Sequence, residues 1–237
     1  MIIKEVYSKS SFNFGEKISS IIIQNAIESI KFKNSFFIAV PGGKMPIPVF
    51  KSLRKKVLEN KNVDWEKFHL FWLDDRFVAH DHEDSNFKLC YDHFLRNIEK
   101  INYYPIPFGS DIDECSLSYE RIIFKNINKN SNGVPSFDMI LIGVGDDGHI
   151  ASLFPNSSQL NYAGNKKIIT VPSSPFKHQR ITFTIELINN AKRRIIGIKG
   201  SKKIKIFNHL KLGLKNNYPL KHLFDSNSDD YWVICKK

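Results

Sequence analysis

The stretch "FDMILIGVGDDGHIASLFPN", residues 137–156, decides how this chain is read. An apolar run, Phe137 to Val144, has the length and β-branched content of a buried strand, and it ends in Gly143, Gly145 and Gly148 at the spacing G-x-G-x-x-G. That spacing belongs to dinucleotide-binding turns, but such a turn must lead into a long helix and then a strand ending in an acid about 20 residues on. Here Pro155 follows closely, and the next apolar run, "KIITV" (167–171), ends at Pro172 and Ser173 with no acid. The glycines therefore read as the means of bending the backbone at a strand end, so that Asp147 and His149 enter a cleft. Histidine, with an unperturbed pKa of about 6.5, suits proton transfer at neutral pH, and a neighbouring carboxylate can fix its tautomer.

Working outward, further strand-like runs are "SFFIAV" (35–40), "FHLFWL" (68–73), "RIIGIKG" (194–200) and "YWVIC" (231–235). Helical spacing alternates with them. It appears in "EKISSIIIQNAIESI", in "IPVFKSLRKKVLEN" with Pro46 in its first turn, in "DSNFKLCYDHFLRNI" opened by Asp84 or Ser85, in "ECSLSYERIIFKNI", and in "SKKIKIFNHLKLG" opened by Ser201 and closed near Gly213. Alternating strands and helices predict an α/β fold, a single domain over 1–237 with a mainly parallel, Rossmann-like layered sheet flanked by helices. "NINKNSNGVPS" (126–136) reads as a surface loop before the central strand.

Composition bounds the answer. No run approaches the roughly 18 apolar residues needed to span a bilayer, and the first residues lack a basic segment followed by an apolar one. Cys90, Cys115 and Cys235 are odd in number and widely spaced, which argues against a disulfide framework and for a reducing, cytoplasmic setting. The formal charge of +11 is compatible with nucleic acid, an anionic surface or a small acidic substrate. Lysine is spread along the whole chain, so the charge reads as a solvated surface rather than a localised patch.

In a parallel sheet, ligands gather outside the carboxyl ends of strands, and three more loops there carry chemistry. "AVPGGKMP" (39–46) offers Gly42 and Gly43 for close backbone approach and amides leading into a helix that can cradle an anion. It is not a Walker A loop. "LDDRFVAHDHEDSN" (73–86) offers Asp74 and Asp75 as acid, base or orienting groups and Arg76 as a planar fork for phosphate. His80, Asp81, His82, Glu83 and Asp84 are nearly consecutive and lack H-x-x-x-H spacing, so no metal is expected there. A cationic group follows, "HQRITFT" with His178 and Arg180, and "KGSKKIKIF" with Lys203 in the first turn after Ser201.

Together these loops resemble the 6-phosphogluconolactonase family, whose fold is shared with glucosamine-6-phosphate deaminases. "GVGDDGHIASLFP" is similar to that family's G-x-G-x-D-G-H-x-A-S-L-F-P, and "DDRFVAHDHEDSN" to its D-E-R-x-V-x-x-x-x-x-D-S-N. "PGGKMP", "QRITFTIELINNAK" and "GSKK" resemble its Gly-Gly loop, its E-R-I-T-[LF]-T segment and its G-x-x-K segment, so the likeness runs from about Ile30 to Leu210. Pro41, Lys44, Asp75 and Gln179 depart from the pattern.

The resemblance implies hydrolysis of 6-phospho-D-glucono-1,5-lactone in the oxidative pentose phosphate pathway. His149 would be the base that activates water, Asp147 or Asp74 would orient it or the sugar hydroxyls, and Gly42, Gly43, Lys44, Arg76, Arg180 and Lys203 would hold the phosphate. No cofactor is implied, nor any nucleic-acid or membrane partner; a monomer is expected, with a weak homodimer as the alternative. The deaminases continue the D-G-H turn as A-F-N-E-P-G, with a glutamate five residues past the histidine, where this chain has Phe154. Ring opening with loss of ammonia needs that extra acid–base group and lactone hydrolysis does not, which leaves a deaminase or sugar-phosphate isomerase, and then a basic nucleic-acid module, as the alternatives.

Overall fold

The computed structural model describes residues 3–59, 63–214, 217–224 and 229–235. Its main sheet has seven strands: β1 (Ile3–Ser8), β2 (Phe36–Val40), β3 (Phe68–Trp72), β5 (Asn102–Tyr104), β6 (Met139–Gly143), β9 (Arg193–Lys199) and β10 (Asp229–Cys235). Every pairing in it is parallel, in the order β1-β10-β9-β6-β2-β3-β5. A sheet covered on both faces needs strands apolar on both faces, and β2 (FFIAV) is buried at all five positions. Around it lie α1 (Ser11–Lys33), α2 (Ile47–Glu59), α3 (Asn86–Cys90), α4 (Ile112–Asn126), α5 (Ile185–Asn189), α6 (Ser201–Lys211) and α7 (Lys221–Phe224). One buried cluster runs from Phe14 to Cys235. Inside it the Arg194 guanidinium, fully buried, meets Asp230 directly across the β9–β10 register.

The parallel sheet and the flanking helices agree with the sequence reading, and the departures are local. The run 167–171 does not join the main sheet. It forms β7 (Ile168–Val171), which with β8 (Arg180–Phe183) and β4 (Asp74–Arg76) makes a separate three-stranded antiparallel sheet, β4-β8-β7. Pro46 stands just before α2 rather than inside its first turn, its carbonyl accepting the Phe50 amide. Ser201 is the first residue of α6, and Gly200 holds the capping position. Ser85 rather than Asp84 caps α3, accepting the Lys88 amide at 3.2 Å, and that helix runs on as one π-turn, Tyr91–Leu95.

Chain order explains where a site must form. From β2 the chain moves outward to β3 and β5, whereas β6, on the other side of β2, leads to β9 and β10. The direction of winding thus reverses between β2 and β6, and their carboxyl ends diverge into a crevice. The loops at 41–46 and 144–151 border it.

Candidate active site

A cavity of about 240 Å³ occupies that crevice, lined from the loop after β2, from β4, from the first residue of α3, from the turn after β6, from β8 and from the start of α6. The small antiparallel sheet supplies one wall. Side chains alternate along a strand, so Asp74 and Arg76 share a face of β4 while Asp75 points the other way. Register places Arg76 directly across from Arg180 and Asp74 across from Thr182.

That alternation separates two neighbouring aspartates that residue type and spacing alone do not rank. Asp75 faces the start of α3: one carboxylate oxygen accepts the amides of Arg76 and Asn86 (both 2.7 Å), and the other accepts the Phe87 amide (3.0 Å) and the Ser85 hydroxyl (3.2 Å). Burial pushes its carboxyl up to about 6, against the pull of those amides. It ties the loop together and does not line the cavity. Asp74 does line it, and accepts the Ser152 hydroxyl at 2.6 Å. Ser152 in turn lies 3.5 Å from the Arg180 guanidinium, so an acid, a hydroxyl and a cation are linked in a row.

The turn after β6 holds the histidine. Asp147 Oδ1 accepts both the ring Nδ1–H of His149 at 2.6 Å and the His149 main-chain amide at 3.1 Å. Desolvation works upward on Asp147, but the His149 amide and ring outweigh it and hold the carboxyl below its ordinary range. An ionised carboxylate only accepts, so Nδ1 carries the proton and Nε2 is the basic nitrogen. The glycines of the motif make this geometry possible: a Cβ on Gly145 would fall 2.1 Å from His149 Nδ1, and Gly148 has φ +81°. The Gly145 amide closes the turn on the His149 carbonyl at 2.9 Å.

Four cations rim the cavity: Lys44, Arg76, Arg180 and Lys203. Arg76 is aimed by a hydrogen bond from its guanidinium to the Asp84 carbonyl (2.6 Å). Lys203 lies 3.8 Å from Asp146, a loose pairing. Gly42 and Gly43 form the floor beside Asn86, whose side-chain amide donates to the Asp74 carbonyl at 2.8 Å. All nine residues singled out from the sequence are thus brought together, eight on the cavity wall and Asp147 behind His149.

Sequence reasoning missed three contributors. Asn86 lines the cavity and Ser152 holds Asp74 there; both lie within the quoted motifs, but nothing about them in one dimension marks these roles. Phe176 comes from the β7–β8 loop and stacks on Phe154 at 4.0 Å, while Phe154 packs 4.6 Å from the His149 ring. The Arg180 guanidinium lies over both aromatic rings, 5.5 Å from Phe154 and 5.2 Å from Phe176.

The profile described as glucosamine-6-phosphate isomerases/6-phosphogluconolactonase matches residues 10–232. The chain belongs to this family. It is 32% identical to "Probable 6-phosphogluconolactonase 4" of Arabidopsis thaliana over 87% of this chain and 84% of that protein. It is 36% identical to the "6-phosphogluconolactonase" of a Synechocystis strain over 70% of this chain and 67% of that one. In fold this family member superposes on 6-phosphogluconolactonase structures from Thermotoga maritima (TM-score 0.81, 20% identity, 99% and 100% of the two chains) and Trypanosoma brucei (TM-score 0.84, 20% identity, 99% and 96%). The match extends the likeness seen in the sequence outward into α1 and β10.

Proposed function

We propose that the protein hydrolyses 6-phospho-D-glucono-1,5-lactone to 6-phospho-D-gluconate. The observation that carries this reading is a histidine with its Nδ1 proton fixed by a carboxylate and its ring packed on Phe154, in a cavity rimmed by four cations. A base beside an anion-binding wall suits attack of water on a phosphorylated ester. The apolar ring at position 154 gives no second acid–base group there, which disfavours the deaminase chemistry of the same family.

Nε2 of His149 takes a proton from water as the oxygen attacks the lactone carbonyl, and the imidazolium then returns it to the ring oxygen as the C–O bond breaks. Asp147 keeps the tautomer and stabilises the imidazolium. Gly42, Gly43, Lys44, Arg76, Arg180 and Lys203 receive the phosphate, the arginines as planar forks. Asp74, held by Ser152 on the same wall, is placed to accept a sugar hydroxyl. Nothing in this scheme calls on a cofactor. The three buried free thiols support a reducing location, which we take to be the cytoplasm, and among the described residues no helix is long and apolar enough to cross a membrane.

The test is acid release from freshly generated lactone, with enzyme-free and His149→Ala controls because the lactone also opens unaided. The variant should turn over roughly 10²- to 10⁴-fold more slowly, the range for a lost general base, with an unchanged melting temperature. Background rates in the unmodified protein, or ammonia release from glucosamine 6-phosphate, would overturn the reading.

A further inference from the structure

The loop 80–84 looked unsuited to a metal because its histidines and acids are nearly consecutive. The fold changes that by bringing a ligand from 94 residues away. His178, in the β7–β8 loop, places Nε2 2.9 Å from Asp84 Oδ2, and its ring meets that of His82 edge-on with centroids 5.4 Å apart. One ligand atom from each of His82, Asp84 and His178 lies within 4.8 Å of the others. None of the three lines the catalytic cavity.

We propose that His82, Asp84 and His178 form a binding site for a borderline divalent metal ion of the zinc class, which fastens the β4–α3 loop to the β7–β8 loop. Two imidazoles and one carboxylate are a donor set that zinc, cobalt and nickel favour over calcium or magnesium. Metal bonds of about 2.0–2.1 Å put ligand atoms about 3.3 Å apart in a tetrahedral site. The Asp84–His178 pair, hydrogen bonded at 2.9 Å, has to give up its shared proton and open by only about 0.4 Å to reach that spacing, and side-chain rotation of His82 supplies the rest. His82 Nδ1 accepts the Asp84 amide at 3.0 Å, so Nε2 carries the ring proton, and an ion would take the place of either that hydrogen bond or that proton.

Lys177 competes for that carboxylate, its ammonium 2.8 Å from the same Asp84 oxygen. Lys177 is 70% exposed and can swing into water, whereas the His178 side chain is 19% exposed and stays. Arg76 is bonded to the Asp84 carbonyl, so it leaves the carboxylate to the ion. The role is a cross-link outside the catalytic cavity, so this inference stands independently of the lactone reaction.

The experiment uses the full chain stripped with EDTA and titrated with Zn²⁺ and Co²⁺, read by equilibrium dialysis, melting temperature and the visible spectrum of cobalt. One equivalent of zinc should bind and raise the melting temperature, and cobalt should show the intense bands of a low-coordinate nitrogen–oxygen site. His178→Ala and His82→Ala should each weaken binding at least tenfold and remove the thermal shift. Lys177→Ala should tighten binding several-fold by removing the competing ammonium, and His149→Ala should leave it unchanged. No binding to the parent chain, equal binding in both histidine variants, or loss only with His149→Ala would overturn the site. If a histidine variant fails to fold, the cobalt spectrum and the direction of the Lys177→Ala change decide.

Discussion

Replacing Asp147 separates two jobs that one oxygen performs. Oδ1 accepts the His149 ring proton and the His149 amide together, at 2.6 and 3.1 Å. In Asp147→Asn the amide N–H still demands an acceptor, so the side-chain carbonyl is selected for that position and continues to hold the Nδ1–H tautomer. What disappears is the negative charge beside the imidazolium. Two unit charges about 4 Å apart are worth about 1 kcal/mol in water and about 4 kcal/mol near a protein surface. Asp147 is 50% exposed, so solvent screening keeps the loss toward the lower end, at about 1–2 kcal/mol. That corresponds to roughly 5- to 30-fold in kcat. Asp147→Ala removes the acceptor as well and frees the ring to adopt the unproductive tautomer, so it should fall roughly 10²-fold or more. Initial rates of lactone hydrolysis over a substrate series, with the melting temperature as a folding control, give both numbers. Equal losses in the two variants would refute the tautomer argument, and an alanine variant at full activity would remove Asp147 from catalysis altogether.

Gly42→Ala should reach the site through Asn86: the new Cβ would lie 1.7 Å from the Asn86 side-chain oxygen and displace the amide that holds the Asp74 carbonyl. Overpacking of this kind costs about 1–3 kcal/mol, so the melting temperature should drop by several degrees with a loss of activity; an unchanged melting curve would mean that the loop shifts freely. Phe176→Ala removes one of the two rings under Arg180 and should raise KM roughly 2- to 30-fold, the span of about 0.5–2 kcal/mol for such contacts. Partial rescue by Phe176→Tyr would tie the effect to the aromatic face, and an unaltered KM would assign Phe176 to packing alone. Asp75, raised to about 6 by burial against about 3.9 unfolded, contributes stability that is complete below about pH 4 and is lost as pH rises through about 6. Urea unfolding should therefore show the stability gap between the parent chain and Asp75→Asn narrowing from pH 4.5 to 7.5. A widening gap would mean that the four donors to Asp75 outweigh its burial.

The parts of this protein that were legible in one dimension are those in which a local pattern carries the physics. Short apolar runs such as 36–40 and 139–143, bounded by glycine or proline, read as strands covered on both faces, and strands alternating with helices leave a parallel sheet as the economical arrangement. The D-G-H turn was legible because two glycines are needed to fold the chain back onto the histidine. What was not legible depended on which distant segment would come alongside. The run 167–171 has a good strand pattern, but pattern says nothing about its partner, and β8 drew it into the antiparallel sheet. Phe176 and His178 sit in a loop with no periodicity, and they gain meaning only because β8 sets that loop beside Phe154 and Asp84.

Asp74 and Asp75 show the same limit at the scale of one peptide bond. As neighbours at a strand end they are chemically identical, and no argument from composition or spacing ranks one above the other. The three-residue strand β4 decides between them, because pairing with β8 fixes which face of the chain looks toward the cavity. Asp74 then gains Ser152 and stands in line with Arg180, while Asp75 is turned inward to satisfy the first amides of α3. A slip of one residue in the β4–β8 register would exchange these roles and swing Arg76 away from Arg180. The small antiparallel sheet is thus the device that turns two equivalent carboxylates into one structural anchor and one site residue.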